Sequence, residues 1–239
     1  MKRYKCVIFD LDGTVLNTER MNMIPLQRLV KEELNILIPY NELLKYMAYP
    51  GKKTIEELGF KDIEKSYAKW VEYVNSFEEG ATLYEGFNEL IPRLNELGIK
   101  CAIASSKMKK QYEIDFYPTG LQEYISCTVL AEDTERHKPY PDPLLKVCDT
   151  LDINGEECIY MGDTLSDYKA TKAANMDFAL AKWGATSIEE IQGDYLLDNP
   201  LDLLNYIIGI LMNLFLVDKS RLFLRIFTDA LLEGAFFIM

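Results

Sequence analysis

Histidine is nearly missing from this chain of 239 residues, His137 being the only one. That excludes histidine-based catalysis and a multi-histidine metal site, and His137 is expected as an exposed neighbour of Lys138. Cysteine is scarce and poorly patterned. Cys6, Cys101, Cys127, Cys148 and Cys158 are odd in number and none forms a C-x-x-C pair. A disulfide or zinc framework is therefore excluded in favour of buried thiols in a reducing compartment. Positive charge is short as well: 26 Lys and Arg against 38 Asp and Glu leave a net charge of -12. A nucleic-acid partner, which needs a basic face to displace counterions, does not fit that balance. An anionic substrate still does, because a bound dication and a few lysines invert the local field. No apolar run is long enough for a membrane span, and the stretch behind Met1-Lys2-Arg3-Tyr4-Lys5 is too short for a signal peptide. A cytoplasmic enzyme acting on a small molecule is expected.

What is present is a rhythm of short apolar strands and helices. Tyr4–Phe9, Ile99–Ala104, Ile125–Leu130, Cys158–Met161 and Met176–Leu180 read as strands buried on both faces. Helical spacing falls between them at Gly86–Leu97, Lys107–Phe116, Pro143–Leu151 and Ser166–Ala174. The alternation predicts an α/β fold with a doubly wound, mostly parallel, Rossmann-like sheet. The gap from Phe9 to Ile99 is far longer than one crossover needs. Helical patterns at Asn22–Leu34, Asn41–Tyr46, Thr54–Leu58 and Ile63–Phe77 fill it. The expected organisation is a core of 1–16 and 82–208 with a small α-helical cap at 17–81 over the carboxyl ends of the strands, where open α/β sheets bind ligands. Pro200–Ile208 reads as a closing helix. The apolar extension 209–239 is expected to dock on the core or on a second subunit as a homodimer contact, in preference to a membrane.

Four motifs follow predicted strands. Asp10-Leu-Asp12-Gly13-Thr14 places one carboxylate at a strand end and a second two residues on, with a glycine for a sharp turn and a hydroxyl after it. A surface turn would also produce this pattern; a calcium loop would not, since its twelfth position is Met21. Ser105-Ser106-Lys107 offers hydroxyls at the start of a helix, suited to a phosphoryl oxygen or to an ordinary cap. Lys138 stands in Lys-Pro-Tyr-Pro-Asp-Pro, a stiff loop that would fix an ammonium near Asp10. Gly162-Asp163-Thr-Leu-Ser-Asp167 puts two acids at a strand end and a first helical turn, where they suit either a hard cation or the helix dipole. A Mg2+ ion would be satisfied by Asp10, the Asp12 carbonyl and Asp163, with Asp167 acting through water or as a support.

In this order and spacing the motifs resemble the haloacid dehalogenase superfamily over about residues 4–208, specifically phosphatases with a helical cap inserted after the first motif. The resemblance implies Asp10 as nucleophile and Asp12 as general acid and base. Gly13, Thr14, Ser105, Ser106 and Lys138 would hold the phosphoryl group, while Asp163 and Asp167 secure Mg2+. Asp12 argues against both dehalogenases and phosphonatases of the superfamily. A sugar phosphomutase is the alternative enzyme, disfavoured because Thr18-Glu-Arg-Met-Asn22 lacks a histidine. A non-catalytic binding module is a further alternative, with only the apolar tail in its favour. Asn17 replaces a frequent aspartate, and Asn175 stands where glycine is common in a left-handed turn. Pro50-Gly51-Lys52-Lys53-Thr54 resembles a substrate-facing cap loop; Lys52 and Lys53 would then favour a phosphoglycolate-like substrate, or else form a solvated pair at a helix start.

Overall fold

The computed structural model describes residues 4–49, 51–185 and 188–209. Strand β1 (Cys6–Phe9) is the middle of the fold because every one of its side chains is apolar or a thiol, and all four are buried. Its alternation sorts them: Val7 and Phe9 enter one hydrophobic cluster, Cys6 and Ile8 another on the opposite face. Parallel partners flank it, β4 (Lys100–Ala104) on one side and β6 (Cys158–Gly162) on the other. The sheet continues outward through β5 (Ile125–Val129) beyond β4, and through β7 (Asp177–Ala181) and β8 (Tyr195–Leu197) beyond β6. The order is β5-β4-β1-β6-β7-β8, parallel throughout. The chain leaves β1 for one half of the sheet and later returns to build the other. The carboxyl end of β1 therefore lies at the topological switch point.

Helices α5 (Phe87–Glu96), α6 (Lys109–Phe116), α7 (Asp142–Leu151) and α8 (Leu165–Ala173) close the crossovers. Phe87, Leu90, Ile91 and Leu94 of α5 join the cluster around Phe9, while Leu144, Val147 and Ala170 of α7 and α8 join the one around Ile8. Between β1 and α5 the described residues form four α-helices: α1 (Glu19–Leu34), α2 (Tyr40–Leu43), α3 (Gly51–Glu57) and α4 (Ile63–Asn75). They bury their own core of Leu26, Leu29, Val30, Leu43, Ile55 and Trp70. The chain enters and leaves this helical segment through a two-stranded antiparallel ribbon, β2 (Leu16–Asn17) with β3 (Thr82–Leu83).

Several expectations are corrected. The ribbon and β8 escape the pattern analysis because two or three residues carry no measurable period. The third helix of the inserted segment starts at Gly51 rather than Thr54, and the stretch 41–46 is a short helix followed by a 3-10 turn, Leu44–Ala48. Helix α6 starts at Lys109, not Lys107, because the Glu132 carboxylate accepts the Lys109 N–H at 3.0 Å and Lys107 is drawn away into ion pairs. Asn175 does take the left-handed backbone, φ 57°. The closing helix covers 202–209. The extension beyond it, and the dimer contact expected of it, lie outside the described residues. Among the described residues all five cysteines are free thiols, and no helix is long and apolar enough to cross a membrane.

Candidate active site

The apolar run of β1 ends at Asp10, whose N–H still pairs with Met161 O at 2.9 Å, so the carboxylate emerges at the carboxyl edge between β4 and β6. A tight turn follows. The amides of Thr14, Val15 and Leu16 all donate to Leu11 O, and Gly13 N–H donates to Leu16 O at 2.9 Å. Gly13 has φ +81°, and a Cβ there would lie 2.4 Å from Asp163 Oδ2. Glycine is required twice over, for the backbone angle and for the approach of Asp163. Its N–H, and the Thr14 hydroxyl, were expected to face a phosphate; the structure engages both internally. Thr14 Oγ1 donates to Asp163 Oδ1 at 2.8 Å and the residue is fully buried. These two residues seat Asp163.

Lys138 lies across the site from the loop after β5. Its ammonium donates to Asp10 Oδ1 at 2.8 Å and to Tyr160 OH at 2.9 Å, and sits 2.7 Å from Asp167 Oδ1. Asp167 is held by a capping box at the start of α8: its Oδ2 accepts from Thr164 N at 3.0 Å and from Thr164 Oγ1 at 2.6 Å. Gly162 leaves room for it, since a Cβ there would meet the Asp167 Cβ at 2.7 Å. Ser105 follows β4, buried, with Oγ accepting from Lys107 N at 3.3 Å, whereas Ser106 is exposed. Asp12 is not part of the carboxylate cluster. It is partly exposed, and its Oδ1 lies 3.0 Å from Lys107 Nζ. Lys52 and Lys53 are exposed on the helical segment; Lys52 Nζ pairs with Glu64 at 2.7 Å and Lys53 lies over the Tyr49 ring. His137 is exposed.

Three functional neighbours escaped the sequence reading. Tyr160 passed as a filler of β6, yet its hydroxyl accepts from Lys138 and donates to Ala104 O at 2.9 Å. Trp183 Nε1 donates to Thr14 O at 2.9 Å and so pins the turn after Asp10. Lys107 was visible in its motif, but its partners Asp12 and Asp115 belong to other segments. No period or spacing announces any of these contacts.

Oxygens of Asp10, Asp163 and Asp167 lie within 4.8 Å of one another. Burial pushes the Asp10 carboxyl up to about 6; Lys138 opposes that shift and the charges of Asp167 and Asp12 add to it. Asp163 is raised well above the ordinary carboxyl range, first by burial and then by Asp167 and Asp10. Asp167 goes the other way: burial works against its charge, but Lys138 and Thr164 outweigh it. Burial likewise works against the Lys138 ammonium, yet Asp10 and Asp167 hold it well above the usual lysine value. With all three carboxyls ionised, one ammonium leaves two negative charges, and among the described residues Asp163 has a hydroxyl for a partner but no cation within ion-pair distance. The donor set and its charge fit a hard divalent cation.

Comparison with known proteins gives the same frame. The family model described as haloacid dehalogenase-like hydrolase matches residues 7–181. A pyrophosphatase PpaX of Bacillus cereus is 26% identical over 213 residues, covering 84% of this chain and 95% of the relative. Among solved structures, a predicted phosphoglycolate phosphatase of Haemophilus somnus superposes with a TM-score of 0.71 at 18% identity, over 86% of this chain and 99% of that one. CbbY of Rhodobacter sphaeroides in complex with phosphate does so with a TM-score of 0.66 at 21% identity, over 84% and 96%. The structural likenesses establish the fold, and the family match spans both halves of the sheet and every strand-end carboxylate of the site: this chain belongs to the haloacid dehalogenase-like hydrolases.

Proposed function

We propose that this chain is a Mg2+-dependent phosphatase that hydrolyses a small phosphorylated metabolite through an aspartyl-phosphate. The observation that carries the reading is the Asp10 carboxylate at the switch point, with Lys138 2.8 Å away and a second, separate carboxylate on Asp12. In the first step an Asp10 oxygen attacks phosphorus in line. The bond to the leaving oxygen breaks as Asp12 delivers a proton to it. In the second step Asp12 takes a proton from water, which attacks the acyl phosphate and returns Asp10. Lys138 keeps Asp10 ionised and offsets charge on the phosphoryl oxygens, with Ser105 at their edge. Asp10, Asp163 and the Asp12 carbonyl would hold Mg2+, with Asp167 in support; when bound the ion supplies charge neutralisation to the phosphoryl group.

The helical segment 17–81 acts as a cap that selects the leaving group and excludes water. The names of the relatives support a substrate with an anionic leaving group, such as pyrophosphate, which would release phosphate, or phosphoglycolate, which would release glycolate. Such a substrate is tested by Lys52→Ala with Lys53→Ala, which should raise KM for it much more than for p-nitrophenyl phosphate; equal effects remove the lysines from the site. The mechanism is tested by Asp10→Asn. Phosphate release in Mg2+ should be abolished while the circular dichroism stays unchanged, and a fully active variant would refute the assignment.

A further inference from the structure

Lys107 belongs to no step of this reaction, yet it is among the most constrained side chains near it. Only 8% of the side chain is exposed, and its ammonium sits between two carboxylates, Asp12 at 3.0 Å and Asp115 at 2.5 Å. Asp115, on the inner face of α6, is itself buried, and its second oxygen accepts from Gln111 at 2.9 Å. The backbone is fixed at both ends of the residue: Lys107 N donates to Ser105 Oγ and Lys107 O accepts from Ala131 N at 3.1 Å. Burial disfavours the ammonium, but the two carboxylates outweigh it. A buried lysine with two acids, one anchored in the core and one facing the reaction, has a defined direction of action.

We propose that Lys107, anchored by Asp115, is the positioning residue that holds the Asp12 carboxyl where it can hand a proton to the leaving oxygen. The inference rests on the phosphatase reading. During phosphorylation of Asp10 the bond from phosphorus to the leaving oxygen breaks and the proton of Asp12 moves to that oxygen. That transfer needs the Asp12 carboxyl fixed in place, and Lys107, 3.0 Å from its Oδ1 and tied to Asp115, fixes it. An acidic leaving group departs without the proton, whereas an alkoxide needs it. Loss of Lys107 is therefore felt in proportion to the basicity of the leaving group, which a role in folding or in phosphate binding does not produce.

The test is kcat/KM in Mg2+ for phosphomonoesters graded from p-nitrophenyl phosphate to simple alkyl phosphates. Lys107→Met should lose roughly 100-fold on alkyl esters and less than about 5-fold on p-nitrophenyl phosphate, within the range of general acid catalysis. Lys107→Arg should recover part of the loss, and Asp115→Asn should show the same graded pattern. In an Asp12→Asn background Lys107→Met should add nothing, because the two act as one unit. Loss that is uniform across the esters, or that recurs in full in the Asp12→Asn background, overturns the assignment. Where Lys107→Met yields no folded protein, Lys107→Arg decides by the same criterion. A wild-type chain inert toward every ester overturns the phosphatase reading, and the assignment with it; an active wild type with uniform losses overturns the assignment alone.

Discussion

Lys138 Nζ lies 2.8 Å from Asp10 Oδ1, although 128 residues separate the two in the chain. The contact unites the two halves of the sheet, since Asp10 directly follows the central strand and Lys138 is carried by the segment between β5 and β6. It also sets the electrostatics of the site, because Lys138 is the ammonium that meets both Asp10 and Asp167.

Replacing Lys138 by Met should therefore be costly in two ways. Phosphate release should fall at least about 1000-fold, the scale on which loss of a main electrostatic group is felt. Stability should fall by roughly 3–5 kcal/mol, as expected when one partner of a buried ion pair is removed. Urea denaturation with and without Mg2+ checks the second figure, and the deficit should be smaller with the cation present.

Gly13→Ala should damage the metal site more than the fold. The Cβ would lie 2.4 Å from Asp163 Oδ2 in a backbone with φ +81°, so Asp163 must move. A stability loss of about 1–3 kcal/mol is expected from the strained angle and the clash. Titration with Mg2+ followed by thermal unfolding should show weakened cation binding, while Gly59→Ala, also at positive φ but with open space around it, leaves that binding unchanged.

Divalent cation should stabilise the chain by mass action. With Mg2+ at about 100 times its Kd, linkage predicts a gain of ~2.7 kcal/mol. Asp163→Asn should abolish most of that gain, while raising the stability of the metal-free protein by relieving the repulsion among the three acids. Differential scanning calorimetry in EDTA and in Mg2+ measures both arms.

The pH dependence of the metal-free protein has a definite sign. The Asp10 carboxyl stands at about 6 in the fold against an ordinary 3.8. The folded state then binds this proton more tightly than the unfolded chain does. Its contribution favours folding fully below the ordinary value and is lost as pH rises through about 6. The shift corresponds to on the order of 3 kcal/mol. Measured in EDTA, the stability of Asp10→Asn relative to wild type should climb between pH 4 and pH 7. In Mg2+ the climb should shrink, because the cation favours the ionised carboxyl.

Much of this was legible in the chain. Continuous apolar strands followed at once by Asp10, Ser105 and Asp163 reveal both a parallel sheet and a reactive edge, since a strand buried on both faces can expose a polar side chain only at its end. The Asp167 capping box was within reach, since Thr164 stands three residues before it, but the sequence there reads only as acids suited to a cation or a helix start. The ribbon at Leu16 and Thr82 was not legible, because two residues have no period. Tyr160 was not legible either, since an aromatic in a buried strand has the same local signature whether or not its hydroxyl finds an ammonium.

The sequence by itself determined the order of strands and helices, the four strand-end motifs and the charge types available to them. These depend on neighbours a few residues apart, which local periodicity and turn chemistry encode. Only the tertiary structure decided the partners: that Thr14 and Gly13 serve Asp163 rather than face outward, that Lys138 bridges Asp10 and Asp167, and that Lys107 joins Asp12 to Asp115. The reason is distance. Those contacts close loops of up to 149 residues, and a side chain's partner across such a loop is set by where the sheet brings the strand ends together.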